Sequence, residues 1–298
     1  MNVMEKPGTQ EVQKTKKLDK LEVKQRLLTV KKLPSQPQVV REIIKLWRNP
    51  NVSMAEYERI ISNDPGLTSE VLKIVNSPYY GLKSKVTNLR IALTMLGLVE
   101  IYRIVANVNF YKVFRSMFNR LSYDFSVFWK HSQMTANIAH YLANNFIPEH
   151  TAEAHLVGLL HDVGKLVMEQ FFNDEWQELM LRLEQYKKEN VAVEEEIYGL
   201  NHCEIGAILL IRWNIPKEIV IPVRYHHTPL EAPEHQKLAL VSYFAEKIAT
   251  YRMSEYDQHM IQEYFSEDKM WQTLSNKYPE LNLLNSPEKL NEINLTPF

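Results

Sequence analysis

His161 and Asp162 stand side by side in the run Gly158-Leu159-Leu160-His161-Asp162-Val163-Gly164-Lys165, which is otherwise mostly apolar. An imidazole and a carboxylate are costly to bury unless their polar atoms are matched. Together they offer a nitrogen and an oxygen donor, and a divalent cation satisfies both in a dry setting. The same dipeptide also suits a hydrogen-bonded core histidine beside an aspartate that faces solvent. Which reading holds depends on whether the chain brings further ligands to the same place. Lys165, one helical turn past His161, adds a cation able to neutralise a phosphate.

The elements that must position these groups read as helices. Glycine is scarce, eight in all, and no Asn-Gly or Asp-Gly hairpin signal lies between alternating apolar runs, so the fold class expected is all-α. After a charged tail over 1–20, Leu33-Pro34-Ser35-Gln36-Pro37 leads stiffly into a helix with Val39, Val40, Ile43, Ile44 and Trp47 on one face. Ser53 with Glu56 forms a capping box. Asp64 followed by Pro65 opens a helix carrying Leu67, Val71, Ile74 and Val75. Another helix runs from about Leu89 to a stop at Gly97, and a further one carries Ile101, Ile104, Val105 and Val108. A long helix over 123–145 places His131 on a stripe with Thr135, Ile138 and Leu142. Thr151 opens the buried helix that holds His161 and Asp162. Residues 173–196 read as one charged amphipathic helix whose Glu194-Glu195-Glu196 run is a solvated surface. Asn201 and Glu204 give a cap signature with His202 at the first helical position, and Pro216 starts a helix reaching His226 and His227. Glu246 flanks the apolar stripe of a helix over 238–251.

Composition excludes several classes. The chain has 298 residues, 45% apolar and 24% charged, with a formal net charge of -1, which suits a globular protein and gives no basic field for nucleic acid or an anionic membrane. The single cysteine, Cys203, excludes an internal disulfide, agrees with a reducing cytoplasm and reads as a packing residue. No signal-peptide core and no uninterrupted membrane span is read, so the expected location is cytoplasmic.

Several segments together resemble the HDOD family, relatives of the HD phosphohydrolases in bacterial signal transduction. They are Leu33-Pro34 with Pro37, Asp64-Pro65-Gly66-Leu67, Asn76-Ser77-Pro78-Tyr79-Tyr80-Gly81, Leu96-Gly97, Trp129-Lys130-His131-Ser132, His161-Asp162, Asn201-His202 with Gly206, Trp213 with Ile215-Pro216, and His226-His227. The resemblance covers roughly residues 26–250. It implies an N-terminal helical lobe (21–120) packed on an HD-type helical bundle (121–250), followed by a helical appendage over 251–298. It also implies a ligand set, His131, His161, Asp162, His202, His226, His227 and Glu246, holding one or two divalent metals with Asp162 bridging. Aspartate is general at the position of Glu246. Nitrogen and oxygen donors without thiolate favour iron, manganese, nickel or zinc.

Two functions follow from the resemblance. One is a signalling output module acting through unidentified protein partners. The other is a metal-dependent phosphohydrolase acting on a nucleotide or another phosphate ester, with Asp162 and Lys165 as its catalytic residues. No Gly-Tyr-Pro follows His161-Asp162, so hydrolysis of cyclic di-GMP is not the expected activity. No P-loop, dinucleotide fingerprint or nucleophile motif is found.

Overall fold

The structure, a computed structural model, describes residues 17–30, 37–47, 49, 51–117, 124–186, 191–254 and 268–277, and no strand occurs among them. Most of the tail over 1–20, the Leu33 to Gln36 lead-in, the side chain of Trp47 and most of the appendage over 251–298 lie outside the described residues.

The first lobe is built from α2 (Gln38–Trp47), α3 (Met54–Ser62), α4 (Pro65–Val75) and α5 (Leu89–Met117). Glu56 Oε2 accepts the Ser53 backbone N–H at 2.9 Å at the start of α3, and Asp64 Oδ1 accepts the Leu67 N–H at 3.0 Å at the start of α4. Leu67, Val71 and Val75 then present one fully buried stripe, each contributing about 1.5–3 kcal/mol by leaving water. Asn76 fastens the following loop, donating to Leu72 O at 2.6 Å and Val86 O at 2.7 Å and accepting from Val86 N at 2.8 Å. The backbone of α5 breaks at Gly97, whose φ of 77° lies in the left-handed region that glycine adopts without a Cβ penalty. By length and composition alone α5 is apolar enough to cross a membrane, although the break at Gly97 interrupts it. Half of its most apolar window is nonetheless buried inside the fold.

The second unit comprises α6 (Phe125–Phe146), α7 (Thr151–Leu160), α8 (Val163–Phe171), α9 (Asn173–Tyr186), α10 (Val191–Tyr198), α11 (His202–Arg212), α12 (Lys217–Arg224) and α13 (Gln236–Met253), with α14 (Lys269–Lys277) against it through Trp271 and Phe244, 4.5 Å between ring centroids. Two close approaches fix the helices that carry the site. A Cβ on Gly158 of α7 would lie 2.7 Å from Ala136 Cα of α6, and one on Gly164 of α8 would lie 1.9 Å from His202 O of α11. Only glycine lets these pairs pack so tightly. Helix α1 (Lys20–Thr29) lies against α11 rather than in the first lobe, held by Arg212 Nη1 donating to Leu27 O at 2.7 Å. The packed chain includes Leu18, which is buried and donates its N–H to Ile197 O at 2.9 Å.

Three local expectations are corrected. His161 and Asp162 are not inside one helix but form the turn between α7 and α8. The segment 173–196 holds two helices, α9 and the start of α10. His226 and His227 lie past the end of α12, in the turn that follows it. At His161-Asp162 and at His226-His227 apolar spacing runs on past the helix end, so spacing alone extends the helix too far.

The lobes meet in a buried polar network that the sequence reading did not identify. Arg103 of α5 donates to Glu100 Oε2 at 2.7 Å, to Asn137 Oδ1 of α6 at 2.9 Å and to His155 Nδ1 of α7 at 3.3 Å. Phe110 beside Trp213 and Phe114 beside Phe128 extend the junction with aromatic contacts.

Candidate metal centre

Turns and helix ends place five of the seven expected ligands, and the interiors of α6 and α13 supply the remaining two. His161 and Asp162 come from the α7–α8 turn, His202 from the first position of α11, His226 and His227 from the turn after α12, His131 from α6 and Glu246 from α13. A turn can aim a side chain where a helix lattice would not, which explains how two adjacent pairs point the same way. His161, Asp162, His202, His226 and Glu246 are all buried, while His131 and His227 keep 17% and 22% of their side chains exposed at the mouth.

The structure brings all seven together, in two groups joined by Asp162. In the first, His131 Nε2 lies 3.2 Å from His161 Nε2, and Asp162 Oδ2 lies 3.3 Å from His161 Nε2 and 3.7 Å from His131 Nε2. In the second, His202 Nε2 lies 3.3 Å from both His226 Nε2 and His227 Nε2. Asp162 Oδ1 reaches that group at 3.3 Å from His202 Nε2, buried and accepting no hydrogen bond. Glu246 stands at the edge, with Oε2 3.6 Å from His227 Nδ1 and 3.8 Å from His226 Nε2. Lys165 Nζ donates to Asp162 Oδ2 at 3.0 Å.

The far side of each ring fixes what the near side offers. His161 Nδ1 faces Gly158 O at 2.8 Å, His226 Nδ1 faces Val223 O at 2.6 Å, and His202 Nδ1 sits 2.8 Å and 2.9 Å from the two oxygens of Glu194. Carbonyl and carboxylate oxygens only accept, so each Nδ1 carries the proton and each Nε2 turns a lone pair inward. With both rings neutral, His202 Nε2 and His226 Nε2 meet lone pair to lone pair, an arrangement that a cation between them satisfies. A single proton bridges two atoms, whereas His202 Nε2 also faces His227, Asp162 and Cys203. The separations suit an ion: two nitrogens on a tetrahedral metal with bonds of about 2.05 Å stand about 3.3 Å apart. The residues present thus fit one or two divalent cations.

The electrostatics differ from ring to ring: burial opposes a charge on His202, yet Cys203 and Glu194 beside it hold its pKa well above the ordinary histidine value. Burial works against a charge on Asp162, but His161 and Lys165 beside it hold its carboxyl well below the usual range, so it is ionised. Burial, reinforced by neighbouring imidazoles, keeps His226 and His227 well below the ordinary histidine value, in the neutral form that ligation requires. Burial also opposes a charge on His161, yet Asp162 raises its pKa, which marks this point of the pocket as favouring positive charge.

One acidic residue near the cluster departs from the sequence expectation. Glu194 is not part of a solvated run: it is buried on the face that α10 shares with Val193 and Ile197, and it orients His202. Its position between those two apolar residues at helical spacing was a usable signal. Cys203 is buried, as expected of a packing residue, and its Sγ lies 3.5 Å from His202 Nε2 and 3.9 Å from His226 Nε2.

Comparison with known proteins gives the same picture of the fold. The chain matches the family model of the HDOD domain over residues 33–229. It superposes on an HDOD domain protein of unknown function from Geobacter sulfurreducens with a TM-score of 0.71 at 23% identity, covering 93% of this chain and 98% of that one. A candidate phosphohydrolase from Shewanella amazonensis gives 0.68 at 19% identity, over 91% and 97% of the two chains. A candidate signal transduction protein from Marinobacter aquaeolei gives 0.64 at 22% identity, over 88% of this chain and 59% of that one. At such identities the likeness is one of fold. A curated Treponema pallidum protein without assigned function is 28% identical over 210 residues, and the match spans 69% of this chain but only 39% of that relative's length. With the family model covering most of the chain, the protein belongs to the HDOD family.

Proposed function

We propose that the chain is a metal-holding regulatory module of bacterial signal transduction that acts through protein partners. The observation supporting the metal is the convergence of three imidazoles, His161, His202 and His226, with each Nδ1 tied off and each Nε2 turned toward Asp162 or another imidazole. The regulatory role draws on family membership and on the Marinobacter relative described as a candidate signal transduction protein. Iron, manganese, nickel and zinc are the ions this donor set suits. A reducing cytoplasm suits the free, buried Cys203.

A phosphohydrolase is the second reading, favoured by Lys165 Nζ at 3.0 Å from Asp162 Oδ2. A bound divalent ion supplies Lewis acidity and a bound water of lowered pKa. Lys165 is placed to neutralise a phosphate oxygen arriving beside Asp162, and the partly exposed rings of His131 and His227 line the approach.

A panel of nucleotides, cyclic dinucleotides and simple phosphate esters, assayed with the metal-loaded chain and with Asp162→Ala, separates the two. The module reading expects no turnover above that of the variant. Turnover by the wild type that disappears in Asp162→Ala would transfer the assignment to the hydrolase.

A further inference from the structure

Cys203 occupies the second position of α11, directly after His202, and is 2% exposed. Its Sγ, His202 Nε2, His226 Nε2 and a nitrogen of His227 all fall within 4.8 Å of one another. A buried cysteine often serves as a small apolar filler. Here, however, the sulfur faces the inward lone pairs of two imidazoles, at 3.5 Å from His202 and 3.9 Å from His226. One S–H can donate to only one of them.

The spacing discriminates further. On a tetrahedral ion with a metal–sulfur bond of about 2.3 Å and a metal–nitrogen bond of about 2.05 Å, sulfur and nitrogen stand about 3.6 Å apart. The Cys203 distances, 3.5 Å and 3.9 Å, bracket that value, and the nitrogen–nitrogen distances in the same group are 3.3 Å. A second observation comes from outside the group: Asp162 Oδ1, buried and without a hydrogen bond, points at the same place, 3.3 Å from His202 Nε2.

We infer that Cys203 is itself a metal ligand, so that the paired centre is chemically unequal: a thiolate-bearing half of His202, Cys203, His226 and His227 beside a nitrogen–oxygen half of His131, His161 and Asp162. This rests on the metal-holding reading above and deepens it. On binding, the S–H bond gives way to an S–metal bond and the proton leaves to solvent. The thiolate selects zinc or cobalt over manganese in its half, while the carboxylate-bearing half tolerates the harder ions.

Because Cys203 is the only cysteine in the chain, any sulfur–metal signal short of a methionine contact belongs to it. The full-length chain, stripped of metal, is loaded with zinc or cobalt. Zinc X-ray absorption is expected to show a sulfur scatterer at about 2.3 Å, and cobalt to give a near-ultraviolet sulfur-to-cobalt charge-transfer band. Cys203→Ser is expected to lose both signals and to bind zinc about tenfold more weakly or worse, with manganese affinity little changed. Zinc bound with nitrogen and oxygen scatterers alone in the wild type would overturn the inference and leave the metal centre standing. Failure of the wild type to bind either ion would overturn both. The wild-type spectra decide the matter even if the variant does not fold.

Discussion

Glu194 grips His202 twice: its carboxylate lies 2.8 Å from the ring Nδ1 and also accepts the His202 backbone N–H at 2.7 Å. One buried acid thereby sets both the tautomer of the ring and the start of α11. Replacing it by glutamine removes the charge and leaves every ligand in place. Glu194→Gln is expected to weaken metal affinity about 10- to 100-fold, as outer partners of ligating histidines do. Competition against a chromophoric chelator measures this, and an unchanged affinity would mean that Glu194 does not tune the site.

Gly164 controls the distance between the two halves of the centre. An added Cβ would lie 1.9 Å from His202 O and 2.8 Å from Gly206 N, both backbone atoms of α11. Gly164→Ala must push α8 and α11 apart, at a cost of about 1–3 kcal/mol or more. Urea unfolding is expected to show that loss, and the folded fraction is expected to bind metal more weakly although no ligand is altered. Wild-type stability in this variant would contradict the close packing.

Acid sensitivity is expected from the lobe junction rather than from the centre alone. Burial, aided by the charge of Arg103, lowers the pKa of His140 to about 4 and holds His155 well below 6.5. Both rings are neutral in the folded chain and protonate near pH 6.5 when it unfolds. The unfolded chain therefore takes up protons first. The stability from this pair is full above pH 6.5 and is lost as pH falls from there toward 4. Each ring adds a slope of up to about 1.4 kcal/mol per pH unit. Denaturant midpoints measured in chelator between pH 7.5 and 5 are expected to fall, and more shallowly in His140→Gln. An equal slope in that variant would rule out His140 as a source.

Much of this architecture is legible in the sequence. Asp64-Pro65 and Asn201 name helix starts because their side chains accept the backbone N–H groups that a first turn leaves unpaired, and Leu67, Asp64 and Glu204 are found in those bonds. The seven residues that converge at the site are reachable through the family resemblance. The turns that aim them are not, because the apolar spacing of α7 and α12 runs on through His161-Asp162 and His226-His227. Nor are the anchors Gly158 O and Val223 O, since a backbone carbonyl carries no signature of its own. Cys203 reads as a packing residue for the same kind of reason: only the fold shows that its neighbours are imidazole nitrogens from a turn 23 residues on. The Arg103 network joins residues 34 and 52 positions apart, beyond any local pattern.

The most direct test is metal content joined to thermal stability, on full-length protein prepared without a metal-affinity step. At least one and at most two divalent transition-metal ions per chain are expected. Removing them by chelation should lower the melting temperature, and adding zinc or manganese should restore it. In Asp162→Ala, both the content and the metal-dependent shift should fall. A wild-type chain that carries no metal, and whose melting temperature does not respond to any of these ions, would contradict the account.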